Sequence, residues 1–167
     1  NPDAQTDGQQ RAALSRYICQ AGNLENEALR LEFAYRYDAS PLVAPLLSDE
    51  AAPPPDCDMR AIPAKAWPGM RAPHLFDESG TAIFDRLAVN GFTLLRFDQR
   101  ADPTPMLNHA QGIGLPLSVC DIASAQARDV YGASLALVRP DQHLAWRGDH
   151  ADIAAIDVAR GATRGGI

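Results

Sequence analysis

The sequence predicts an α/β fold whose central sheet mixes parallel and antiparallel strands. Two continuous apolar runs, residues 92–97 and 115–122, are typical of strands covered on both faces, and a short helix pattern separates them. A third apolar run, residues 135–138, is followed by a turn and a second strand pattern at residues 143–147. Strands joined through a helix pair in parallel, whereas strands joined by a tight turn pair antiparallel. One sheet is therefore expected to contain both kinds of pairing.

The helices complete the predicted element order β-α-β, α, β-β-α. Residues 104–109 indicate a helix because Pro105 suits its first turn, and residues 127–131 indicate a second short helix. Asp149 is the expected N-cap of a closing helix, which Gly161 ends. This order is that of a thioredoxin-like domain, with a mixed central sheet.

The turn before the last strand uses residues suited to reversing the chain. Pro140 fixes φ near the value that a turn requires, and Asp141 can bond the backbone beside it. In the return strand, Leu144 and Trp146 are expected to share the core face, because side chains alternate along a strand. The opposite face, expected to meet water or a partner, carries His143, Ala145 and Arg147.

A helix and a strand precede this domain. Thr6 or Asp7 can cap the helix, and one helix face should be buried because apolar residues recur at helical spacing before Gly22. Residues 29–37 alternate, which predicts a strand that residues 40–41 end. No partner for this strand is evident among its neighbours, so pairing outside this chain stays open. The apolar residues of the helix are Leu14, Tyr17, Ile18 and Ala21.

Proline dominates the stretch between the two parts. Eight of the thirteen prolines lie between Pro41 and Pro73, including three in succession, which favours an extended and irregular chain. We therefore divide the sequence into a helix-strand extension at residues 1–41, a Pro-rich linker at 42–67 and a thioredoxin-like domain at 68–167.

The composition is globular and argues against several partners. The formal net charge is −6 and the pI is about 5.1, without a cluster of Lys or Arg, which disfavours nucleic acid and anionic membranes. No apolar run approaches the roughly 18 residues of a spanning helix, and no signal-peptide pattern is present. Cys19, Cys57 and Cys120 are isolated, which fits neither a disulfide framework nor a metal knuckle. A cytoplasmic protein is expected.

Few residues suggest chemistry. A thioredoxin-like fold raises the question of a dithiol, yet no Cys-x-x-Cys occurs, and Cys120 lies in an apolar strand, where a buried inert thiol is expected. A serine nucleophile is discarded because no Gly-x-Ser-x-Gly surrounds Ser118 or Ser134. Turns and helix caps explain two further groups better than metal or acid–base chemistry does. They are His143 with Asp141, and His150 with Asp149 and Asp152.

One polar pair is retained as a candidate contact surface. Arg71 and His74 lie where the Pro-rich stretch enters the domain, and they could clamp it to a neighbouring domain. A solvated loop is an equally good interpretation of the same pair. Trp146 and Tyr131 could stack on a ligand, but inward-facing aromatic residues are more often core, and we favour core.

Three stretches together resemble one enzyme family. Residues 137–147, Leu-Val-Arg-Pro-Asp-Gln-His-Leu-Ala-Trp-Arg, are similar to the closing signature of the FAD-dependent aromatic-ring hydroxylases. These are the phenol, hydroxyphenylpropionate and polyketide hydroxylases, which carry a C-terminal thioredoxin-like domain. Residues 68–74 leading to 91–95, and residues 35–41 before them, agree in order and spacing. A departure is Gln142, where many relatives have Gly, so the turn must be reachable without glycine.

The resemblance implies a longer parent enzyme that uses NAD(P)H to reduce FAD and then hydroxylates an aromatic ring with oxygen. This chain has no G-x-G-x-x-G after a strand, and Gly112-Ile-Gly114 lacks the third glycine, so no cofactor is expected to bind here. The expected partner is the catalytic flavin domain of the same polypeptide, and a homo-oligomer stays open. The beginning at Asn1 fits a piece of such a polypeptide.

Two functions therefore follow from the sequence. The favoured one is a C-terminal structural and interaction domain of an aromatic monooxygenase, without catalytic or redox activity of its own. The alternative is a freestanding thioredoxin-like binding module. A freestanding module has no need of residues 1–41, which favours the first function. The candidate interdomain contacts are Tyr35, Tyr37, Ser40, Arg71 and His74.

Overall fold

The computed structural model describes residues 2–19, 35–37, 40–45 and 63–162, which fall into two compact units. Helix α1, Pro2–Tyr17, lies in the first unit together with the π-helical residues 18–19, and the other described residues form the second. None of the described helices is long and apolar enough to cross a membrane.

Helix α1 confirms the predicted helix but not its details. Thr6 and Asp7 lie inside the helix instead of capping it, because the helix already begins at Pro2, a residue suited to a first turn. The expected burial is wrong for Leu14, Tyr17 and Ile18, which are each more than half exposed. Ala21 and Gly22, which complete that prediction, lie outside the described residues. Leu14 and Tyr17 are the large apolar side chains of this helix, so it has little apolar surface to bury.

The second unit is built on a four-stranded mixed sheet in the order β2-β1-β3-β4, which confirms the predicted fold class. The pair β1–β2 is parallel, whereas β1–β3 and β3–β4 are antiparallel. The strands are β1 Phe92–Arg96, β2 Leu117–Asp121, β3 Leu135–Val138 and β4 Leu144–Gly148. The helices are α2 Thr104–Gly112, α3 Ala125–Tyr131 and α4 Ile153–Ala159, with a 3₁₀ helix at Ile83–Arg86.

Hydrophobic clusters cover both faces of the sheet. On one face, Met106 of α2 and Ile156 of α4 pack with inward residues of β1 and β3. On the other face, Tyr131 of α3 and Ile83 of the 3₁₀ helix pack with the opposite set of strand residues. Tyr131 is fully buried against Phe97, which confirms it as a core residue. Burial on both faces explains the continuous apolar runs of β1 and β3.

Strand β2 differs from the prediction, which covered it on both faces. Its residues are half-buried or exposed, with Ser118 and Asp121 open to solvent. The cause is its position, because β2 lies at the edge of the four-stranded sheet. An edge strand is less covered than a central strand of similar composition.

A β-bulge in the last hairpin changes which side chains share a face. Val138 pairs with Leu144 and Leu137 pairs with Trp146, which leaves Ala145 as an extra residue on β4. Leu144 and Trp146 therefore belong to opposite hydrophobic clusters, and the prediction that they share a face is wrong. Trp146 is buried with residues of α4, which confirms that part of the prediction.

The face of β4 predicted to meet water or a partner is covered by other parts of this chain. Ala145 and Arg147 are buried, and His143 just before the strand is 8% exposed. The bulge turns Ala145 toward the α4 side, and segment 66–72 covers the other side. Alternation of apolar and polar residues along β4 could not show that the distant segment 66–72 lies against this face.

The closing helix is capped by a different aspartate from the one predicted. Asp152 accepts a hydrogen bond from the Ala154 N–H at 2.9 Å and is the N-cap of α4. Asp149 instead accepts hydrogen bonds from the N–H and Oγ of Ser134 at 2.9 and 2.8 Å. Both positions carry Asp, so the sequence did not distinguish them. Gly161, with φ of +80°, ends the helix as predicted.

Candidate interdomain surface

Segment 69–72 extends the sheet beyond the beginning of β4. The Leu144 N–H donates to the Met70 carbonyl at 2.8 Å, and the Ala72 N–H donates to the Gln142 carbonyl at 2.8 Å. These bonds hold residue 71 opposite His143 in an antiparallel bridge. A segment that the sequence placed at the entry to the domain is therefore part of its sheet.

Residues 35–37 form the next layer outward. Arg36 bridges Met70, and the Tyr37 N–H donates to the Gly69 carbonyl at 3.1 Å. The following turn is tied to β4, since the Ala44 N–H donates to the Ala145 carbonyl at 2.9 Å. Within the described residues, this part of the predicted 29–37 strand has its partner in the chain itself. Residues 29–34 lie outside the described residues.

Three rings meet where these layers end. The ring centroids of Tyr35 and Tyr37 are 5.3 Å apart in an edge-to-face arrangement. The imidazole of His143 lies 5.4 Å from the Tyr35 ring and 5.2 Å from the Tyr37 ring. Tyr37 is 51% exposed, whereas His143 is buried. The two tyrosines therefore form the outer part of this corner and the histidine its inner part.

Local hydrogen bonds fix His143. Its ring Nδ1 lies 2.9 Å from the carbonyl oxygen of Asp141, and its backbone N–H donates to Oδ1 of Asp141 at 3.2 Å. Arg139 in turn pairs with the Asp141 carboxylate at 2.8 Å. The interpretation of His143 and Asp141 as a turn with local bonds is confirmed.

The turn itself requires an unusual backbone conformation. Gln142 has φ of +65°, a value that glycine adopts more readily than other residues. Its side chain compensates by binding a neighbouring segment, because Oε1 accepts a hydrogen bond from Nη2 of Arg71 at 2.9 Å. The expectation that this turn forms without glycine is confirmed.

A second ring group continues from Arg71. Its guanidinium carbon lies 5.0 Å from the centroid of the Phe84 ring, in cation–π geometry. The His74 ring stacks on Phe84 at 5.1 Å and contacts Phe76 edge-on at 5.0 Å. Phe76 is 55% exposed, which is unusual for a phenylalanine with aromatic neighbours.

These contacts join the rings into one surface, which we name the aromatic patch. The patch comprises Tyr35, Tyr37, Arg71, His74, Phe76, Phe84 and His143. Four of the five predicted contact residues therefore lie in one surface. The fifth, Ser40, stands in the adjoining turn, where its N–H donates to the Tyr37 carbonyl and its Oγ accepts from the Leu42 N–H, both at 3.2 Å.

Sequence reasoning missed three members of the patch. His143 was assigned to a face expected to meet water or a partner, and Phe76 and Phe84 were not singled out. Isolated bridges between distant segments bring these residues together, and such bridges leave no periodic pattern. The one usable signal was the spacing of the three stretches that resemble the hydroxylase family.

Electrostatics in the patch are mild. A hydrogen bond with Tyr37, together with burial, raises the pKa of the Tyr35 hydroxyl. Burial opposes ionisation of Asp141, but hydrogen bonds from Arg139 and the His143 N–H outweigh it and lower the pKa of that carboxyl. Both groups stay in their ordinary charge states near neutral pH.

Outside the patch, the described residues contain no group of three or more His, Cys, Asp or Glu placed to hold a metal. Cys120, expected to be a buried thiol, is only half-buried because β2 is an edge strand. Its partial burial still raises the pKa of the thiol, which disfavours the reactive thiolate. A polar cleft of about 700 Å³ beside Asp98, Arg128 and His150 is open, and its carboxylates are engaged in ion pairs or hydrogen bonds.

Comparisons with known proteins point to one family. Residues 65–164 match the model of the aromatic-ring hydroxylase C-terminal family. The FAD-dependent monooxygenase apdD of Emericella nidulans is 34% identical over 87% of this chain, which spans 24% of that protein. The rebeccamycin biosynthetic enzyme RebC with reduced flavin has a TM-score of 0.74 and 26% identity over 98% of this chain, and 29% of RebC is covered.

A further solved structure agrees. The flavin-dependent monooxygenase PieE, in complex with FAD and substrate, has a TM-score of 0.70 and 26% identity over 93% of this chain, and 29% of PieE is covered. The chain thus spans 24–29% of the length of these relatives. It belongs to the family of aromatic-ring hydroxylase C-terminal domains.

Proposed function

We propose that this chain is the C-terminal structural and interaction domain of an FAD- and NAD(P)H-dependent aromatic monooxygenase, without catalytic or redox activity of its own. The parent, meaning the longer polypeptide of which it is a part, places its flavin domain against this domain. The observation that carries the proposal is the aromatic patch, which presents half-exposed rings in a chain much shorter than its relatives. Exposed aromatic surface of this kind marks contact sites.

Cofactor chemistry is assigned to the rest of the parent. Binding the pyrophosphate of FAD or NAD(P)H in such enzymes uses a glycine-rich turn at a helix N-terminus. The 167 residues hold no G-x-G-x-x-G, and the helix that follows β1 begins with Thr104-Pro105 instead. We also propose that the parent works in the cytoplasm, and that neither nucleic acid nor membrane is its partner.

The domain division at residues 41 and 67 stays a prediction. The backbone hydrogen bonds of Tyr37 and Ala44 support placing part of the extension and of the linker with the thioredoxin-like domain. They also favour the alternative function, a freestanding binding module, because this segment has a partner inside the chain. The half-exposed rings of Tyr37 and Phe76 favour the interaction domain instead.

FAD titration tests whether the isolated chain is a binding or interaction domain, as both proposed functions require, or a flavin enzyme by itself. The purified chain should be colourless, should not oxidise NAD(P)H, and should show no saturable binding when titrated with FAD. The parent should be yellow and should hold about one FAD per polypeptide. A dissociation constant for the isolated chain in the low micromolar range or tighter, about −8 kcal/mol, would contradict the proposal. A parent without bound flavin would contradict the assignment to a flavin monooxygenase.

A further inference from the structure

We propose that Nε2 of His143 accepts a hydrogen bond from a neutral donor in the flavin domain of the same polypeptide. The corner formed by Tyr35, Tyr37 and His143 is then a specific socket within the aromatic patch. This inference rests on the proposed function, because it needs a neighbouring domain to supply the donor.

The proton positions on His143 follow from its bond to Asp141. Nδ1 lies 2.9 Å from the Asp141 carbonyl oxygen, and a carbonyl can only accept, so Nδ1 carries a proton. In the neutral imidazole the other nitrogen, Nε2, is then an acceptor with a free lone pair. The ring is therefore held in one tautomer and one orientation.

That acceptor has no partner among the described residues. Nε2 is buried and makes no hydrogen bond there, and the side chain of His143 is only 10% exposed. Buried polar atoms in folded proteins are nearly always hydrogen-bonded. The neighbouring groups are the rings of Tyr35 and Tyr37, whose faces and edges do not satisfy a nitrogen lone pair. A missing donor is the simplest account of this arrangement.

Access of a donor to Nε2 requires a side chain to move, because the atom is buried. Tyr37 packs against His143 and is itself 51% exposed, so a change in its rotamer is the movement that the proposal requires. The charge of Arg139 is compensated by Asp141, and Arg71 is a further cation beside this corner. Because burying a charged donor costs far more than burying a neutral one, a hydroxyl, an amide or a backbone N–H is favoured as the donor.

The flavin domain is the occupant that the comparisons favour. This chain covers 24% of apdD and 29% of RebC, so proteins of this family carry roughly three quarters of their length outside it. A second copy of the chain and an ordered water are the competing occupants. The test below separates them by comparing the isolated chain with the parent.

Two substitutions separate the role of Nδ1 as a donor from the role of Nε2 as an acceptor. In His143→Asn, the amide can replace Nδ1–H as donor to Asp141, but nothing replaces Nε2. In His143→Gln, the longer amide places an oxygen near the position of Nε2.

Hydrogen exchange of residues 35–37 would be measured by mass spectrometry in the isolated chain and in the flavin-loaded parent. His109→Asn serves as the matched control, because His109 binds Asp157 between α2 and α4, outside the patch.

The expected result is specific to the parent. His143→Asn should raise the exchange rate at residues 35–37 about tenfold in the parent and less than about threefold in the isolated chain. His143→Gln and His109→Asn should change it less than about threefold in both. Equal effects in chain and parent, or no effect of His143→Asn in the parent, would overturn the socket.

The remaining outcomes are also decisive. Protection of residues 35–37 that grows with the concentration of the isolated chain identifies a second copy as the occupant and overturns the proposal. Unfolding of the isolated chain by His143→Asn counts as an equal effect and overturns it too. The proposed function is tested separately by the flavin content of the wild-type proteins, since it fails if the parent holds no FAD or if the isolated chain binds FAD.

Discussion

At the scale of single residues, Arg147 shows how one buried side chain joins three segments. Its Nη1 donates to the Ala66 carbonyl at 2.7 Å and to the Tyr131 carbonyl at 2.8 Å. Its guanidinium carbon also lies 4.5 Å from the centroid of the Trp67 ring. A cation at the C-terminal end of α3 satisfies a carbonyl that the helix leaves unpaired. Arg147, predicted to lie on a face that meets water or a partner, thus holds three segments of the chain together.

We expect Arg147→Met to lower the free energy of unfolding of the chain by about 2–4 kcal/mol, because two buried carbonyls lose a charged donor. Arg147→Lys retains the charge and one donor, so its loss should be smaller. Urea denaturation measures both variants. A loss below about 1 kcal/mol for Arg147→Met would show that water replaces the side chain.

The Asp98 carboxylate sets a pH dependence. Hydrogen bonds from the side chain and the N–H of Arg100, together with the nearby charge of Arg128, hold the pKa of Asp98 well below its ordinary value. A lowered folded-state pKa gives stability that is present above the unfolded value of about 3.9 and is lost as pH falls below it. Asp98→Asn should therefore flatten the decline of stability below about pH 4. Parallel declines for variant and wild type in urea denaturation would contradict this assignment.

At the scale of elements, the closing strand and helix hold the α4 side of the core. Trp146 of β4 is 5% exposed and packs with residues of α4. The ring also lies over the backbone of Gly148, where a Cβ would stand 2.5 Å from Cζ2 of Trp146. The indole of Trp146 therefore occupies the space that a side chain at position 148 would need.

Trp146→Ala should lower the free energy of unfolding by roughly 3–5 kcal/mol, the range for truncating a large buried aromatic residue. The cause is the lost contact of the indole with α4 and the cavity that remains. Chemical denaturation of the isolated chain tests it. A change below about 1 kcal/mol would mean that the strand end is not part of the cooperative core.

Gly148→Ala should cost about 1–3 kcal/mol, because the added methyl group forces the Trp146 ring or the strand to move. The loss should shrink in the Trp146→Ala background, where the ring is absent. A double-mutant cycle by urea denaturation measures this coupling. Equal losses in both backgrounds would show that the indole does not restrict this position.

The same hairpin shows what sequence could and could not predict. The runs at β1 and β3, the turn at Pro140 and the closing helix have strong local signals, and all were predicted. The bulge at Ala145 was missed because one extra residue leaves the apolar composition of a strand unchanged. The cap at Asp152 was missed because two candidate aspartates lie three residues apart.

At the scale of the whole molecule, the patch depended on long-range pairing. The predicted residues Tyr35, Tyr37, Arg71 and His74 came from the family resemblance and from their position in the chain. Their meeting with His143 and Phe84 follows from bridges between segments that lie up to 72 residues apart, as between Arg71 and His143. No local propensity specifies such a meeting, so the geometry of the surface required the structure.

The most direct test of an interaction domain compares hydrogen exchange in the wild-type chain and in the flavin-loaded parent. We predict that amides at residues 35–37 and 71–76 exchange at least about tenfold more slowly in the parent, because the flavin domain covers the patch. Amides of β1, inside the sheet, should serve as the internal reference and change little. Equal exchange of the patch in chain and parent would contradict the account and would favour a domain that stands free of its neighbours.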